Sequence, residues 1–185
     1  AVIDRFGRID ILINNAGIYP NTAFLETTEE EWDAVFDTNL KGMFLMSQAV
    51  ARHMEEQGIA GRIVNLSSGA SISGRAGAAH YCSSKAAINM LTKVMAIELT
   101  PKGITVNAVA PGLVEVPDWE HTEEYINAIV SGIPAGRIGQ PADIARAVTF
   151  LIAPDADFIS GSVLFVDGGS TAGRTTLPLS KRRGQ

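Results

Sequence analysis

The sequence has a single cysteine, no long apolar run and no surplus of positive charge. Because Cys82 is the only cysteine among 185 residues, no intramolecular disulfide can form, which fits a reducing compartment and predicts a cytoplasmic protein. No segment approaches the ~18 uninterrupted apolar residues of a membrane span, so no membrane partner is expected. The net charge of −5 argues against nucleic acid as a partner, because surfaces that bind nucleic acid are basic.

Strand and helix signals alternate along the chain. Short apolar, β-branched runs predict four strands: 9–13, 61–66, 104–109 and 162–166. Apolar residues at helical spacing and terminal signals predict the helices between them: 28–58, 81–99, 120–130 and one that begins at Pro141. This alternation is typical of an α/β protein whose parallel sheet is covered on both faces.

Polar and glycine- or proline-containing turns follow the predicted strands directly. They occupy four short segments: 14–17, 67–69, 111–112 and 167–169. One such turn means little, because glycine and asparagine often end strands. The carboxyl ends of parallel strands share one edge, however, and ligands of such sheets bind beyond that edge. The four turns together predict a cofactor and substrate site there.

Tyr81 and Lys85 are four residues apart in a predicted helix. That spacing places both side chains on one face, one turn apart. An ammonium beside a phenol stabilises the phenolate, which would lower the pKa of Tyr81 from roughly 10 toward neutrality. A phenol of that kind can exchange a proton with an alcohol or a carbonyl. Taken alone, the same spacing also fits an ordinary solvated helix face.

Further residues match a known pattern in both order and spacing. The matching pieces are Asn14-Asn15-Ala16-Gly17, Asn39, Ser68, Tyr81 with Lys85, and the segments 107–112, 137–141 and 166–169. From about Phe6 to Ser170 the chain resembles the short-chain dehydrogenase/reductase family, in its 3-oxoacyl-carrier-protein reductase-like and sugar-alcohol-dehydrogenase-like form. The resemblance implies a Rossmann-like, doubly wound parallel sheet.

The resemblance also implies a catalytic set of four residues. Tyr81 would be the proton donor or acceptor at the substrate oxygen. Lys85 would hold the nicotinamide ribose and lower the Tyr81 pKa. Ser68 would hydrogen-bond the substrate oxygen as charge develops on it. Asn39 would hold a water molecule that relays protons to Lys85.

Contacts with NAD or NADP are implied for Tyr81, Lys85 and two groups of loop residues. These loop residues are Asn14, Ala16, Gly17, Pro111, Gly112 and Val114. The first three would line the adenosine side of the cofactor, and the last three would shape the loop over the nicotinamide. No metal ligand is implied. The hydride chemistry belongs to the cofactor, and the protein supplies placement and proton transfer.

The sequence departs from the family pattern at its beginning. The Gly-rich phosphate loop and the residue that selects NAD or NADP are missing, which corresponds to roughly 60–75 residues of the first βαβαβ half. We therefore expect a Rossmann-like sheet truncated to its C-terminal four strands within residues 1–170, followed by a poorly ordered polar tail, 171–185. The strand 9–13 would be an exposed edge. This chain alone would bind dinucleotide weakly or not at all and would tend to aggregate.

The family resemblance implies that the substrate is selected mainly by the loop after Pro111, residues 114–119, and the helix that follows it, together with residues 70–77. Val116 stands where the family commonly has threonine, so one hydroxyl contact with the cofactor is in doubt. Trp119 and Tyr125 form either an apolar lid over the substrate or part of the core. Fatty-acyl thioesters, sugars, polyols and steroids all fit the family at this level.

Two functions fit these observations. The first is an NAD(P)-dependent oxidoreductase that interconverts a secondary alcohol and a ketone on a small-molecule substrate. The second is a truncated, non-catalytic fragment that retains only surfaces for subunit association. The family resemblance implies a homotetramer or homodimer, assembled through the helices corresponding to 40–56 and 84–99.

Overall fold

The computed structural model describes residues 1–116 and 122–173. Four parallel strands form one sheet in the order β1-β2-β3-β4. Their bounds are β1 Ile11–Asn14, β2 Arg62–Leu66, β3 Thr105–Pro111 and β4 Val163–Val166. The prediction of a Rossmann-like α/β sheet with four strands is therefore confirmed.

Helices connect the strands along the chain. They are α1 Val2–Phe6, α2 Glu29–Phe36, α3 Gly42–Glu56, α4 Ala79–Leu99, α5 Glu123–Val130 and α6 Pro141–Leu151. Short 3₁₀ turns lie at Gly69–Ser71 and Thr100–Lys102. Within the described ranges, no helix is both long and apolar enough to cross a membrane.

Two apolar clusters fill the opposite faces of the sheet. Ile63 and Val106 point to the face covered by α3 and α4. Val64 and Val109 point to the other face, which α6 covers. Adjacent residues of a strand face opposite sides, so a central strand covered on both faces is buried almost throughout. This is the pattern of β3.

The predicted helix 28–58 is two helices joined by a π-helical segment, Asp37–Lys41. The helix α2 begins where the sequence predicts, because the Thr28 hydroxyl accepts a hydrogen bond from the Glu31 N–H. A π-helical segment adds one residue to a turn and often occurs at a functional site. Here it contains Asn39, which is buried.

The strand β1 forms one edge of the described sheet. It pairs with β2 alone, and Ile11 and Ile13 remain 43% and 44% exposed. This agrees with the expected exposed edge. The strand begins two residues later than predicted, after an ion pair between Arg8 and Asp10. The order of the sheet places the carboxyl ends of all four strands along a single rim.

Candidate active site

The loops that follow the strands approach one another at this rim. The Gly112 N–H donates to the Val166 carbonyl, and a methyl group on Gly112 would lie 2.8 Å from the Asp167 Cα. Only glycine allows that approach. A methyl group on Gly69 would lie 3.1 Å from Thr171 Cγ2 and 3.6 Å from the Pro111 carbonyl oxygen. The rim is therefore closely packed on the side of β3 and β4.

Lys85 lies under the rim and is only 5% exposed. Its Nζ donates to the Leu66 carbonyl at 2.8 Å. Among the described residues, no carboxylate lies within ion-pair distance of it. Burial lowers the pKa of Lys85 from 10.5 to about 8, because a low-dielectric environment disfavours the charged amine. The side chain therefore remains mostly cationic at pH 7.

Tyr81 lies one turn before Lys85 on α4, as predicted. The Lys85 Nζ lies over its ring at 5.6 Å from the centroid. The Arg75 guanidinium carbon also lies over the ring, at 5.8 Å, and Tyr19 meets it edge to face at 6.3 Å. Within the part of the chain that the structure describes, the Tyr81 hydroxyl has no hydrogen-bond partner. It is therefore available to a ligand.

Ser68 ends the segment that leaves β2. Its Oγ accepts a hydrogen bond from the Ala70 N–H at 3.1 Å, which leaves its own O–H free to donate. The turn that follows packs against α4, the helix that carries Tyr81 and Lys85. The fold thus places Ser68 beside the predicted acid/base helix.

Asn89, one turn beyond Lys85, fastens this turn at two points. Its Oδ1 accepts from the Ser67 hydroxyl at 2.6 Å, and its Nδ2 donates to Ser71 Oγ at 2.8 Å. Ser68 lies between these two anchors. Asn89 was not identified from the sequence, although Tyr81, Lys85 and Asn89 repeat at intervals of four on one helix face.

Asn39 connects the π-helical segment to the loop after β1 and to α4. Its Oδ1 accepts from the Ile18 N–H at 2.8 Å, and its Nδ2 donates to the Ile18 carbonyl at 2.9 Å. The same Nδ2 also donates to Ser84 Oγ at 3.2 Å. Ser84 in turn donates to the Tyr81 carbonyl. Sequence reasoning missed Ser84, which adjoins Lys85.

Gly17 lies close to Lys85 and Asn39. A methyl group on Gly17 would lie 3.2 Å from Asn39 Oδ1 and 3.6 Å from Lys85 Nζ. Gly17 and its neighbour Ala16 are both exposed at the rim. The structure therefore brings together Gly17, Asn39 and Lys85, three of the residues predicted for the site.

The Asn14 side chain is directed into the fold. Its Nδ2 donates to Ser47 Oγ and to Asn65 Oδ1, at 2.9 and 2.8 Å. The Asn65 Nδ2 donates onward to Thr92 Oγ1 at 2.9 Å. This amide therefore ties β1 to β2, α3 and α4. The predicted contact of Asn14 with a cofactor stays a prediction.

The loop after β3 contains the remaining predicted contacts. Val114 forms an isolated parallel bridge with Gly139, which connects this loop to the segment before α6. Val116 is partly exposed. Trp119 lies outside the described residues, and so does the side chain of Tyr125. Within the described ranges, no group of three His, Cys, Asp or Glu side chains is placed to hold a metal ion.

Comparison with known proteins identifies relatives of this chain. A family model described as "Enoyl-(Acyl carrier protein) reductase" matches residues 1–171. The chain is 47% identical over 168 residues to the "(2S)-[(R)-hydroxy(phenyl)methyl]succinyl-CoA dehydrogenase subunit BbsD" of Thauera aromatica, covering 90% of this chain and 67% of that protein. It is 43% identical over 170 residues to the 3-oxoacyl-[acyl-carrier-protein] reductase FabG of Vibrio cholerae, covering 91% and 69%.

Solved structures show the same fold. The structure of ElxO with NADP bound has a TM-score of 0.87 and 34% identity, covering 93% of this chain and 71% of that one. A putative gluconate dehydrogenase from Agrobacterium tumefaciens also has a TM-score of 0.87 and 34% identity, covering 92% and 69%.

The parallel α/β sheet and these relatives place the chain among the Rossmann-like oxidoreductases. Within that class, the chain belongs to the short-chain dehydrogenase/reductase family.

Proposed function

We propose that this protein is an NAD(P)-dependent oxidoreductase that interconverts a secondary alcohol and a ketone, with Tyr81 as general acid and base. One observation carries the proposal. The buried Lys85 ammonium lies over the Tyr81 ring at 5.6 Å and has no carboxylate partner among the described residues. Its charge is therefore available to stabilise a phenolate at Tyr81.

The residues at the rim fit the nicotinamide end of a dinucleotide. A lysine ammonium has three N–H donors, and Lys85 uses one of them, toward the Leu66 carbonyl. The other two suit the hydroxyls of a ribose. Pro111, Gly112 and Val114 would border the nicotinamide. The sequence has no Gly-rich turn of the kind that holds a pyrophosphate.

Each side chain then has a separate task. The bound nicotinamide supplies or accepts the hydride. Tyr81 gives its hydroxyl proton to the substrate oxygen during reduction and takes it back during oxidation. Ser68 donates its free O–H to the same oxygen and stabilises the charge that develops there. Asn39 fixes the loop after β1 beside Lys85, where a water molecule would pass protons to the amine.

The substrate is a small carbonyl compound or alcohol. The names of the two relatives describe the reduction of a 3-oxoacyl group on a carrier protein and the dehydrogenation of a hydroxylated succinyl-CoA derivative. Both reactions interconvert an oxygen function close to an acyl group. One structural neighbour, ElxO, has NADP bound, and we propose NADP or NAD as the cofactor here.

Replacement of Tyr81 by phenylalanine tests the proposal. In the protein isolated from its own cells, Tyr81→Phe should abolish turnover and leave the fluorescence titration with NADH or NADPH unchanged. Tyr19→Phe is the matched control, because that ring contacts Tyr81 and has no proposed role in proton transfer. Retained turnover in Tyr81→Phe would contradict the assignment.

An exposed apolar face favours a second candidate function, subunit association without turnover. Phe44 on α3 and Met90 and Val94 on α4 are all more than one third exposed, and they border a common groove. Contiguous apolar surface of this kind marks association sites. We propose a second copy of the chain as the occupant, forming a homodimer or homotetramer.

Sedimentation velocity, combined with a turnover assay, separates an active oxidoreductase from an assembly without turnover. Met90→Glu should convert the assembly to monomers, whereas Leu25→Glu, an exposed apolar residue outside this face, should not. An assembly that forms normally but never turns over substrate would support the second candidate. A monomeric wild-type protein would contradict association through this face.

A further inference from the structure

Arg75 lies between the Ser68 turn and the helix that carries Tyr81. Its guanidinium carbon is 5.8 Å from the Tyr81 ring centroid, and the side chain is exposed. The surrounding loop is fastened at two points. The Arg75 carbonyl accepts from the Ala78 N–H at 3.3 Å, and the Gly77 carbonyl accepts from the Thr22 N–H at 2.9 Å. The backbone therefore holds Arg75 beside the candidate acid/base.

Arg75 has no carboxylate partner in the part of the chain that the structure describes. Arg5, Arg52 and Arg62 also lack such a partner, whereas Arg8, Arg137 and Arg146 each pair with an aspartate. What distinguishes Arg75 is its position over the Tyr81 ring. Lys85, the other cation over the Tyr81 ring, is also unpaired. Two cations without an ion pair among the described residues thus lie over the Tyr81 ring, although the whole chain has a net charge of −5.

The two cations differ in what they can reach. Lys85 is buried, and its nitrogen already contacts the Leu66 carbonyl. Arg75 is exposed to solvent, so a bound substrate can reach it. A guanidinium is a planar fork of N–H donors that matches a carboxylate in a bidentate manner. Arg75 is therefore the cation that can meet an anionic group of an incoming substrate.

We propose that Arg75 binds a carboxylate of the substrate, so that the preferred substrate is an oxo acid or the corresponding hydroxy acid. The inference rests on the proposed function of Tyr81. The anion must lie close to the reacting carbonyl, because Arg75 lies close to the Tyr81 ring. A carboxylate two bonds from the carbonyl carbon, as in a 3-oxo acid, satisfies this condition. The phosphate of a long carrier arm does not satisfy this condition, because the arm separates it from the reacting carbonyl by many bonds.

A matched pair of substrates tests this proposal. Acetoacetate has a carboxylate, and methyl acetoacetate is its neutral ester. With NADH and NADPH each supplied, Arg75→Gln should lower kcat/KM for acetoacetate at least tenfold and change kcat/KM for the ester less than threefold. Arg75→Lys should recover part of the activity toward the acid, because a lysine keeps the charge but loses the bidentate geometry.

Arg52→Gln is the control for overall charge. Arg52 is exposed on α3, and its replacement changes the net charge by the same amount. It should leave both substrates unaffected. An equal loss for acid and ester in Arg75→Gln would overturn the proposal, since Arg75 would then act on Tyr81 rather than on an anion. An equal loss for acetoacetate in Arg52→Gln and Arg75→Gln would overturn it too.

A binding measurement keeps the two proposals separate. Saturation-transfer NMR should detect acetoacetate with the wild-type protein and with Arg52→Gln, and the signal should disappear with Arg75→Gln. If the wild-type protein binds acetoacetate through Arg75 but turns over neither compound, the proposed function fails and this inference stands. Absence of an acetoacetate signal with the wild-type protein would overturn the inference, even if the neutral ester is reduced.

Discussion

The Asn39 side chain forms two hydrogen bonds with the backbone of Ile18, accepting from its N–H at 2.8 Å and donating to its carbonyl at 2.9 Å. The two residues are 21 positions apart in the sequence. Asn39 itself is 1% exposed. This amide therefore pairs with the Ile18 backbone as the backbone of a neighbouring strand would. It holds the loop after β1 against the π-helical segment.

Asn39→Ala should free this loop. Loss of the amide removes both hydrogen bonds to the Ile18 backbone, each worth about 0.5–1.5 kcal/mol. We expect lower stability in urea unfolding and faster hydrogen exchange at the Ile18 amide. Asn127→Ala, at an exposed position on α5, should change neither. Unchanged Ile18 protection in Asn39→Ala would show that other contacts hold the loop.

Gly17→Ala should disturb the site without altering any polar group. Its new methyl group would lie 3.2 Å from Asn39 Oδ1 and 3.6 Å from Lys85 Nζ, so the amide must shift, at a cost of about 1–3 kcal/mol. We expect turnover to fall roughly tenfold. Gly74→Ala is the matched control, because a methyl group there meets no atom within 4 Å. Equal activity of the two variants would refute the prediction.

Asn65→Leu should destabilise the centre of the sheet. Asn65 accepts from Asn14 and donates to Thr92, and none of its surface is exposed. Leucine is similar in volume but leaves both partners without this contact, so we expect a loss of about 2 kcal/mol or more. In the double variant, Thr92→Val should lower the free energy of unfolding by less than it does alone, because Asn65→Leu has already removed the hydrogen bond that the two residues share. Full additivity in urea unfolding would contradict this coupling.

Lys85 should make stability depend on pH above neutrality. Its pKa is lowered by burial from 10.5 to about 8, so between these values the unfolded chain holds a proton that the native protein has released. The free energy of unfolding therefore rises with pH across this window and is smallest below pH 8, where both states are protonated. At about 1.4 kcal/mol for each pKa unit, the change amounts to a few kcal/mol.

Lys85→Met isolates this contribution. Urea unfolding of the wild-type protein and the variant at several values between pH 7 and pH 10.5 gives the difference in their free energies of unfolding. That difference should move in favour of the wild-type protein as the pH rises, because the variant lacks the titrating amine. A difference that stays constant with pH would mean that the Lys85 pKa is close to its ordinary value.

The order of strands and helices could be predicted because it depends on local patterns. Apolar runs mark β2 and β3, and the Thr28 cap marks the start of α2. The proximity of Tyr81 and Lys85 follows from helical spacing alone. The π-helical segment could not be predicted in this way, since the hydrogen bonds that Asn39 makes with Ile18 join distant parts of the chain.

The sequence also could not indicate which polar side chains face inward. The Asn14 amide, for example, lies between Ser47 and Asn65, and its contact with a cofactor stays a prediction. That arrangement depends on the register of β1 against β2, which places Asn14 beside Asn65. The position of Arg75 over Tyr81 likewise depends on the path of a loop. Loop paths are determined by tertiary contacts rather than by spacing.

The pairing of the strands also has a consequence for the timing of folding during synthesis. Asn14 and Asn65, which face each other across β1 and β2, are 51 residues apart. A ribosome that adds roughly 5–20 residues per second completes β1 about 3–10 seconds before the end of β2 exists. Hydrogen-bonded pairing between strands that are far apart in the sequence forms slowly. During this interval Ile11 and Ile13 lack their partners on β2, so that side of the nascent strand is open to misassociation until β2 has been made.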